Sequence, residues 1–293
     1  MMKILSAENQ RTLDAYTIEN EPISSVNLME RAASNCSDWL LENYKSDTRF
    51  SLFCGPGNNG GDALVIARHL HEASFEVDCF IVALSKNFSK DFEINKNRLE
   101  LAGVKPIILE NEKDLDQIEP NQIIIDAIFG TGLSRPAEGF AKSAIEKINR
   151  FNTEVVSIDI PSGMYCDNPH DANDIMVKAT HTLTFQAPKL NFFFPETGNY
   201  TGKFHILDIG LLQDKIADFE GDNFLLTKES VSKLMKSRST FSHKGTYGHA
   251  QIIAGSLGKM GAAVLSSKAA LHSGPGLVTA NVPQCGIDIL QIA

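Results

Sequence analysis

The sequence predicts an α/β fold, in which a mainly parallel β-sheet carries helices on both faces. Between residues 50 and 210, short runs rich in β-branched and aromatic residues alternate with stretches of helical periodicity. The runs at 77–84 and 122–129 are almost continuously apolar, which is typical of strands buried on both faces of a parallel sheet. This alternation indicates crossover helices and three layers.

Two helices are predicted ahead of the sheet. Residues 6–20 have helical periodicity, and residues 28–44 place one set of side chains on a single helix face: Leu28, Met29, Ala32, Ala33, Cys36, Trp39 and Leu40. Asn27 and Glu30 have the spacing of a capping box. We therefore expect the second helix to begin just after Asn27.

The elements of the sheet region follow in order. Strands are predicted at 50–54, 77–84, 105–109, 122–129, 154–159, 181–185 and 202–210, with helices at 62–74, 88–102 and 137–150. Residues 211–223 have the character of a linker. We therefore predict a first domain over residues 1–220 and a second over residues 221–293.

Composition excludes some classes of function. The chain has 293 residues and a net charge of −9, which argues against broad binding of nucleic acid or of an anionic membrane. Its 5 cysteines lack the spacing of a metal or redox motif and indicate reduced thiols. The first residues lack a signal peptide's apolar core, and no run is long enough to span a bilayer. We expect a cytoplasmic protein.

The glycine-rich segment at 54–63, CGPGNNGGDA, has the spacing of a dinucleotide-binding turn between a strand and a helix. Two details argue against an ordinary nicotinamide-dependent oxidoreductase. The next strand ends in IVALSKN, without the carboxylate that binds the ribose. Asp62 lies at the predicted start of the helix, where a capping carboxylate would repel a pyrophosphate.

Carboxylates end two further strands. Asp126 closes an apolar strand ahead of a second glycine-rich loop, and Asp159 closes another ahead of IPSG. A buried carboxylate must be paired, capped or functional. With Asn59 and Ser162, Asp126 would make an oxygen cluster suited to an alkali or alkaline-earth cation. Lys189 follows a later strand and is either a surface residue or part of the same site.

Five motifs together resemble one family. LMERA, GPGNNGGDA, DAIFGTGLSRP, DIPSGM and FQAPKL occur in this order within residues 5–215 and resemble the NAD(P)H-hydrate epimerases, the YjeF N-terminal domain family. The resemblance implies a Rossmann-like three-layer αβα sandwich and a homodimer. It also implies a small-molecule substrate, hydrated NADH or NADPH, whose R and S epimers at C6 of the nicotinamide ring are interconverted.

The resemblance also implies roles for particular residues. Asn59, Asp126 and Ser162 would hold a potassium ion. The residues that would contact the hydrated dinucleotide are Asn58, Asn59, Gly60, Gly61, Asp62, Gly130, Thr131, Gly132, Leu133, Ser134, Arg135, Pro136 and Asp159. The family usually has glycine where this chain has Ala63, a mild departure.

The chemistry at C6 requires an acid and a base. This carbon bears both a hydroxyl and the ring nitrogen, so hydroxide can leave and water can add on the other face. An acid for the leaving oxygen and a base for the incoming water are each worth about 10²–10⁴-fold. Lys189 and Asp159, or Asp126 in place of Asp159, are the candidate catalytic pair.

From residue 243 the chain is predicted to form a strand, a glycine loop, a helix and a strand. This segment resembles the opening of the ADP- or ATP-dependent NAD(P)H-hydrate dehydratase domain, which has a ribokinase-like α/β fold. Ala262 or Ala263 would lie beside the hydrated nicotinamide. That family's nucleotide loop and catalytic aspartate come later, so we expect a fragment of a bifunctional repair enzyme with a poorly packed tail and no dehydration.

Two rival functions are an oxidoreductase and a non-catalytic module that binds a nucleotide or a protein in the same cleft. The missing ribose carboxylate disfavours the first. Asp126, Asp159 and Lys189 together disfavour the second, although activity alone separates it from the epimerase.

Overall fold

The computed structural model describes residues 1–119, 122–221, 223–235 and 237–293. The chain divides into two compact units, Met1–Thr227 and Lys228–Ala293. The first unit therefore extends somewhat beyond residue 220, where we predicted the first domain to end. Among the described residues, no helix combines the length and the apolar run that crossing a bilayer requires.

The first unit begins with a short strand and two helices before the main sheet. Its elements in chain order are β1 (Met2–Lys3), α1 (Ala7–Asn20), α2 (Ser25–Asn43), β2 (Arg49–Cys54), α3 (Asn58–Glu72), β3 (Glu76–Val82), α4 (Lys90–Leu101), β4 (Ile107–Leu109), α5 (Glu112–Asp116), β5 (Ile123–Ala127), α6 (Gly139–Arg150), β6 (Glu154–Ile158), β7 (His181–Phe185), α7 (Gly198–Thr201), β8 (Lys203–Leu207) and β9 (Phe224–Leu225). Short 3₁₀ helices cover Leu190–Phe193 and Gln213–Asp218.

The main sheet has seven strands in the order β4-β3-β2-β5-β6-β7-β8, and every neighbouring pair is parallel. This confirms the predicted α/β class and is the strand order of a Rossmann-like sheet. After β2 the chain moves outward to β4, and it then returns to place β5 on the other side of β2. The loops after β2 and β5 therefore diverge at a topological switch point, where such sheets bind their ligands.

Apolar side chains fill both faces of this sheet. Phe50 and Leu52 of β2 pack with Leu64 of α3 in one core cluster, to which α2 and α4 also contribute. Phe53, which follows Leu52 on β2, points to the opposite face and packs with Ile145 of α6. Because successive side chains on a strand alternate in direction, one strand supplies both cores, and three layers result.

Two helix starts differ from the prediction. Ser24 caps α2, because its hydroxyl accepts a hydrogen bond of 3.3 Å from the backbone N–H of Asn27. The predicted capping box at Asn27 is therefore wrong, since Asn27 already lies within the first turn. Helix α3 begins at Asn58 after Gly57, which offers no side-chain cap. Asp62 lies in the second turn and is buried, so it cannot cap this helix.

A small two-stranded sheet, which the sequence did not predict, joins the two ends of the first unit. Strand β1 pairs antiparallel with β9, placing Met2 opposite Leu225 and Lys3 opposite Phe224. The backbone N–H of Ile4 extends the pairing by donating to the carbonyl of Asn223. The segment predicted as a linker is thus partly ordered on the unit that it follows.

The second unit has α8 (Lys228–Ser232), β10 (His249–Ile253), α9 (Met260–Ser273), β11 (Leu277–Asn281) and α10 (Ile287–Ile292). Strands β10 and β11 are parallel and α9 connects them, which is the predicted strand, glycine loop, helix and strand. Many large apolar side chains are exposed: Leu234, Met235, Phe241, Ile253, Leu257, Leu265, Leu271 and Ile292. Ala262 is exposed, whereas Ala263 is buried.

Candidate active site

A cleft of about 570 Å³ lies at the carboxyl ends of the central strands, at the switch point between β2 and β5. Both glycine-rich loops line it. The lining includes Arg11, Asp14, Asn58, Asn59, Asp62, Gly130, Thr131, Gly132, Leu133, Ser134, Arg135, Asp159 and Phe185. The fold thus brings together most of the residues that we predicted to contact the substrate.

Gly60, Gly61 and Pro136 are the predicted contacts that do not line this cleft. A Cβ on Gly60 would lie 1.9 Å from the carbonyl oxygen of Gly55, and one on Gly61 would lie 2.8 Å from the sulfur of Met29. A Cβ on Gly55 would in turn lie 1.9 Å from the carbonyl oxygen of Ile128. These glycines let α3 and the two loops pack closely.

Asp126 lies at the end of β5 and is fully buried. One carboxylate oxygen accepts hydrogen bonds from the Ser157 hydroxyl at 2.7 Å and from the backbone N–H of Ser162 at 2.9 Å. The other accepts a longer bond of 3.4 Å from the N–H of Ile128. Burial raises the pKa of Asp126, and these hydrogen bonds oppose the shift. The carboxylate therefore fixes the loop after β5 to the segment after β6.

Asn59, Asp126 and Ser162, the predicted cation ligands, meet around Phe129. The Asn59 amide nitrogen donates to the carbonyl oxygen of Phe129 at 2.9 Å, and the N–H of Phe129 donates to the Ser162 hydroxyl at 2.8 Å. The amide oxygen of Asn59 accepts no hydrogen bond from a described residue. Carboxylate, hydroxyl, amide and carbonyl oxygens are the hard ligands that alkali and alkaline-earth cations take.

This donor set fits a singly charged cation. No group of three or more His, Cys, Asp or Glu side chains is placed to hold a metal ion in the part of the chain that the structure describes. A cation here would depend on one carboxylate, that of Asp126, and on neutral oxygens. Potassium accepts such a set, whereas zinc prefers nitrogen and sulfur ligands.

Asp159 is the first residue after β6 and has a left-handed backbone conformation, with φ of 64°. Its N–H donates to the carbonyl of Leu183 on the adjacent strand at 2.7 Å. Positive φ is uncommon outside glycine, although aspartate tolerates it better than most residues. This turn directs the carboxylate into the cleft, which it lines.

The two oxygens of Asp159 have different surroundings. Oδ1 accepts hydrogen bonds from the Lys189 ammonium at 2.6 Å and from the N–H of Phe185 at 3.2 Å, with the Thr184 hydroxyl at 3.5 Å. Oδ2 accepts no hydrogen bond from any described residue. The site therefore holds one oxygen in place and leaves the other for a ligand.

Lys189 lies beneath the cleft and is fully buried. Besides Asp159, its ammonium donates to the carbonyls of Ala187 at 3.2 Å and Phe185 at 3.3 Å. An ammonium has three hydrogens, and these three acceptors use them. Neither Lys189 nor Asp126 is among the described residues that line the cleft.

The sequence did not indicate Asp14, a further cleft residue on α1. Buried Gln10, Leu13 and Thr17 define the inward face of this helix, and Asp14 follows the same spacing. Burial and the charge of Asp159 raise the pKa of Asp14 to about 7, while Lys189 opposes the shift. The sequence did contain one indication of this role, because polar residues recur on the face of α1 that turns inward.

Asp62 completes a group of three carboxyls in the cleft, with Asp14 and Asp159. Burial raises its pKa well above the ordinary value, and the charges of Asp159, Asp14 and Asp91 add to the shift. Three carboxyls from α1, α3 and the end of β6 therefore share one cleft.

A second cavity, of about 320 Å³, adjoins the cleft. Its walls are mainly apolar, and Arg11, Asp14, Asn58 and Asp62 provide polar groups at the shared boundary. The apolar wall consists of Ala15, Ile18, Leu28, Met29, Ala32, Phe185 and Ile209. A flat ring with a polar substituent suits such a cavity.

Comparison with known families agrees with this arrangement. The family described as YjeF-related protein N-terminus matches residues 25–191, a segment that contains both glycine loops, Asp126, Asp159 and Lys189. The chain belongs to this family. The matched range covers the α2–β7 region and the segment that carries Lys189, and it includes most of the residues that line the cleft, although Arg11 and Asp14 lie before it.

Two kinds of relative share this YjeF-related unit. The chain is 29% identical over 215 residues to an NAD(P)H-hydrate epimerase of Rhodopirellula baltica, covering 73% of this chain and 87% of that protein. It is 33% identical over 290 residues to a bifunctional NAD(P)H-hydrate repair enzyme Nnr of Moorella thermoacetica, covering 97% of this chain and 54% of that protein. The chain spans about half the length of the bifunctional relatives that it matches.

A solved structure has the same fold. The crystal structure of the yeast protein ynu0 aligns with a TM-score of 0.61 at 20% sequence identity, covering 77% of this chain and 98% of that chain. The likeness supports the Rossmann-like three-layer fold of the YjeF-related unit.

Proposed function

We propose that the first unit is an NAD(P)H-hydrate epimerase, which interconverts the R and S forms of hydrated NADH and NADPH at C6 of the nicotinamide ring. One observation carries the proposal: Asp159 presents a carboxylate oxygen without a described partner to a cleft between two glycine-rich loops at the switch point. The similarity to the NAD(P)H-hydrate epimerase of Rhodopirellula baltica supports it, because that protein aligns over most of its own length.

The cleft has groups that suit a dinucleotide. Arg11 and Arg135 line it, and neither forms an ion pair with a residue that the structure describes. The first turn of α3 has no side-chain cap, so its backbone N–H groups are available to an anion. We expect these groups to bind the pyrophosphate and the hydrated ring to lie where the cleft meets the apolar cavity, within reach of Asp159.

The reaction needs a proton donor and a proton acceptor at C6. Loss of the hydroxyl as water leaves a cation that the ring nitrogen stabilises, and addition of water on the other face completes the inversion. We assign Asp159 as a catalytic residue, because it lines the cleft and its Oδ2 accepts no hydrogen bond from a described residue. Lys189 acts as a positioning residue that holds Oδ1, and Asp126 positions the loop after β5.

Potassium is the cofactor that we propose for the cluster of Asn59, Asp126 and Ser162. A bound potassium ion would supply positive charge and order the loop after β5. The residues of the chain already fix Phe129 between Asn59 and Ser162, so the ion would complete this arrangement without taking part in the chemistry.

For a protein as long as the bifunctional relatives, we propose that the S form is also dehydrated with ADP or ATP. In such a protein we expect the helix with Ala262 and Ala263 to lie beside the hydrated ring. The homodimer and the cytoplasmic location also stay predictions, as do the absence of nucleic-acid and membrane partners.

The deciding experiment follows one epimer over time. Separated R epimer of hydrated NADPH is incubated with the protein and potassium chloride, and its conversion to the S epimer is measured by chromatography against the spontaneous rate. We expect acceleration that Asp159→Asn reduces by about 10²-fold or more. Folded protein that binds the hydrate without acceleration would instead support a non-catalytic nucleotide-binding or protein-interaction module.

A further inference from the structure

We propose that Asp14 is a second catalytic residue, which exchanges a proton with the C6 oxygen on the ring face opposite to the one served by Asp159. This inference rests on the proposed epimerase function and deepens it. It assigns the residue that the sequence did not indicate, and it replaces Lys189 as the partner of Asp159 in proton transfer.

The first reason is that Asp14 and Asp159 line the same space. Asp14 and Asp159 line the main cleft together, and they also line a recess of about 70 Å³ that continues from it. Asp14 comes from α1, whereas Asp159 follows β6 at the sheet edge. Two carboxyls on separate elements can therefore approach one bound ring from different sides.

The second reason is that Asp14 and Asp159 have carboxylate oxygens free to contact a ligand. Asp14 forms no hydrogen bond or ion pair with a residue that the structure describes, and Oδ2 of Asp159 likewise accepts none. Lys189 has all three hydrogens engaged and is fully buried. Asp126 is also fully buried, and its oxygens accept bonds from Ser157, Ser162 and Ile128.

Position distinguishes Asp14 from Asp62, the other cleft carboxyl without a hydrogen-bond partner among the described residues. The charged groups that face Asp14 are Asp159, Lys189, Asp62 and Arg11. With its pKa raised to about 7 by burial and by Asp159, Asp14 takes up and releases a proton near neutral pH. Asp62, whose pKa burial also raises, lines the cleft but not the recess that Asp14 shares with Asp159. Like charges in one site favour sharing a single proton.

The proton and electron balance is simple in the first half of the reaction. The Asp14 carboxyl gives its proton to the C6 hydroxyl, the C–O bond breaks, and its electron pair leaves with the oxygen as water. The lone pair of the ring nitrogen forms a C=N bond to C6.

Water then adds to C6 from the side of Asp159. The new C–O bond forms, the C=N pair returns to nitrogen, and Asp159 takes the proton from the incoming water. The reverse reaction starts with the proton on Asp159 and ends with it on Asp14. One proton moves between the two carboxyls through solvent to restore the starting state, and no redox partner is needed.

The first test compares Asp14→Asn with Glu19→Gln, an acid-to-amide change at an exposed position of the same helix. We expect Asp14→Asn to lower kcat by about 10²-fold or more while KM changes by less than about threefold. Glu19→Gln should keep both constants. A kcat for Asp14→Asn within threefold of the unmodified protein would overturn the proposal.

Oxygen exchange gives a readout that a purely structural role would not change. In water enriched in oxygen-18, a variant with one carboxyl can still release and re-add water on the side of the remaining carboxyl. Asp14→Asn should therefore exchange the C6 oxygen of one epimer without inverting it, and Asp159→Asn should do so for the other epimer. Equal loss of exchange in both epimers for both variants would contradict the assignment.

Asp14→Ala guards against a folding failure of the amide variant. Added formate can occupy the space left by the side chain. We expect it to raise the kcat of Asp14→Ala at least tenfold over the value without formate. Absence of rescue in folded Asp14→Ala protein would count against proton transfer by Asp14. The epimerase proposal itself fails only if the unmodified protein shows no acceleration, so the two failures are distinguishable.

Discussion

Lys189 and Asp159 form a buried ion pair, with 2.6 Å between Nζ of Lys189 and Oδ1 of Asp159. Lys189 is fully buried, and the Asp159 side chain is 12% exposed. The pair joins the end of β6 to the segment after β7. It accounts for the left-handed turn at Asp159, because the strained residue is held by an ammonium as well as by the N–H of Phe185.

Removing the ammonium should therefore affect both stability and activity. Lys189→Met keeps the volume of the side chain but leaves the Asp159 carboxylate without its charged partner. We expect the free energy of unfolding to fall by about 3–5 kcal/mol and epimerase kcat to fall at least tenfold. Urea unfolding and chromatographic kinetics measure the two effects.

The double variant Lys189→Met, Asp159→Asn serves as the control for that prediction. Since it removes both charges, it should be less destabilised than the sum of the two single variants. Strict additivity would show that the ion pair contributes nothing to stability.

Two glycines of the first loop make a matched pair for testing its packing. A Cβ on Gly60 would lie 1.9 Å from the backbone oxygen of Gly55, whereas one on Gly57 meets nothing within 4 Å. Gly60→Ala should lower the free energy of unfolding by about 1–3 kcal/mol or more, although alanine favours helix. Gly57→Ala should change it by less than about 1 kcal/mol. Equal melting temperatures for the two variants would contradict the close packing of this loop.

Stability should depend on pH through Asp14. Its folded pKa of about 7 exceeds the ordinary value of 3.8, so between these values the folded protein binds more protons than the unfolded chain. Stability contributed by this group is present below about pH 4 and is lost as the pH rises toward 7. Asp14→Asn should remove this fall in the free energy of unfolding, which is at most about 4 kcal/mol.

The measurement is urea unfolding of both proteins from pH 4 to pH 8. The stability of Asp14→Asn relative to the unmodified protein should increase across this range. A constant difference would show that Asp14 does not carry a raised pKa.

Potassium should stabilise the first unit through the Asn59, Asp126 and Ser162 cluster. A ligand that binds the folded state alone raises stability by RT ln(1 + [L]/Kd), about 2.7 kcal/mol at a concentration of one hundred Kd. We expect potassium chloride to raise the melting temperature relative to choline chloride of equal ionic strength. The effect should disappear in Asp126→Asn, and equal melting temperatures in the two salts would contradict the site.

The second unit should be the first to be cut by protease. Its exposed apolar residues, such as Phe241 at 97% and Leu257 at 85% exposure, indicate few buried contacts and therefore low resistance to local opening. Limited trypsin digestion followed by mass spectrometry should find early cleavage within 228–293 and late cleavage within 1–227. Survival of the second unit in a protein shown to be monomeric would contradict this expectation.

Much of the fold follows from local patterns. The apolar strands at 77–84 and 122–129 and the helices between them arise from periodicity, and the structure contains them at nearly the predicted places. Helix starts were less well predicted, because the choice between Ser24 and Asn27 as a cap depends on which hydroxyl or amide meets a free N–H. The loops with Asp126 and Asp159 were found because a charge after a buried strand is informative by itself.

The sequence alone determined the α/β class, the two glycine-rich loops and the carboxylates that end β5 and β6, since these features are written in periodicity and in residue type. Only the tertiary structure decided which carboxyls share the cleft. It buried Lys189 and Asp126 beneath the lining and brought Asp14 from α1 to Asp159. Burial and the approach of charges distant in sequence depend on how the elements pack, and no local pattern encodes them.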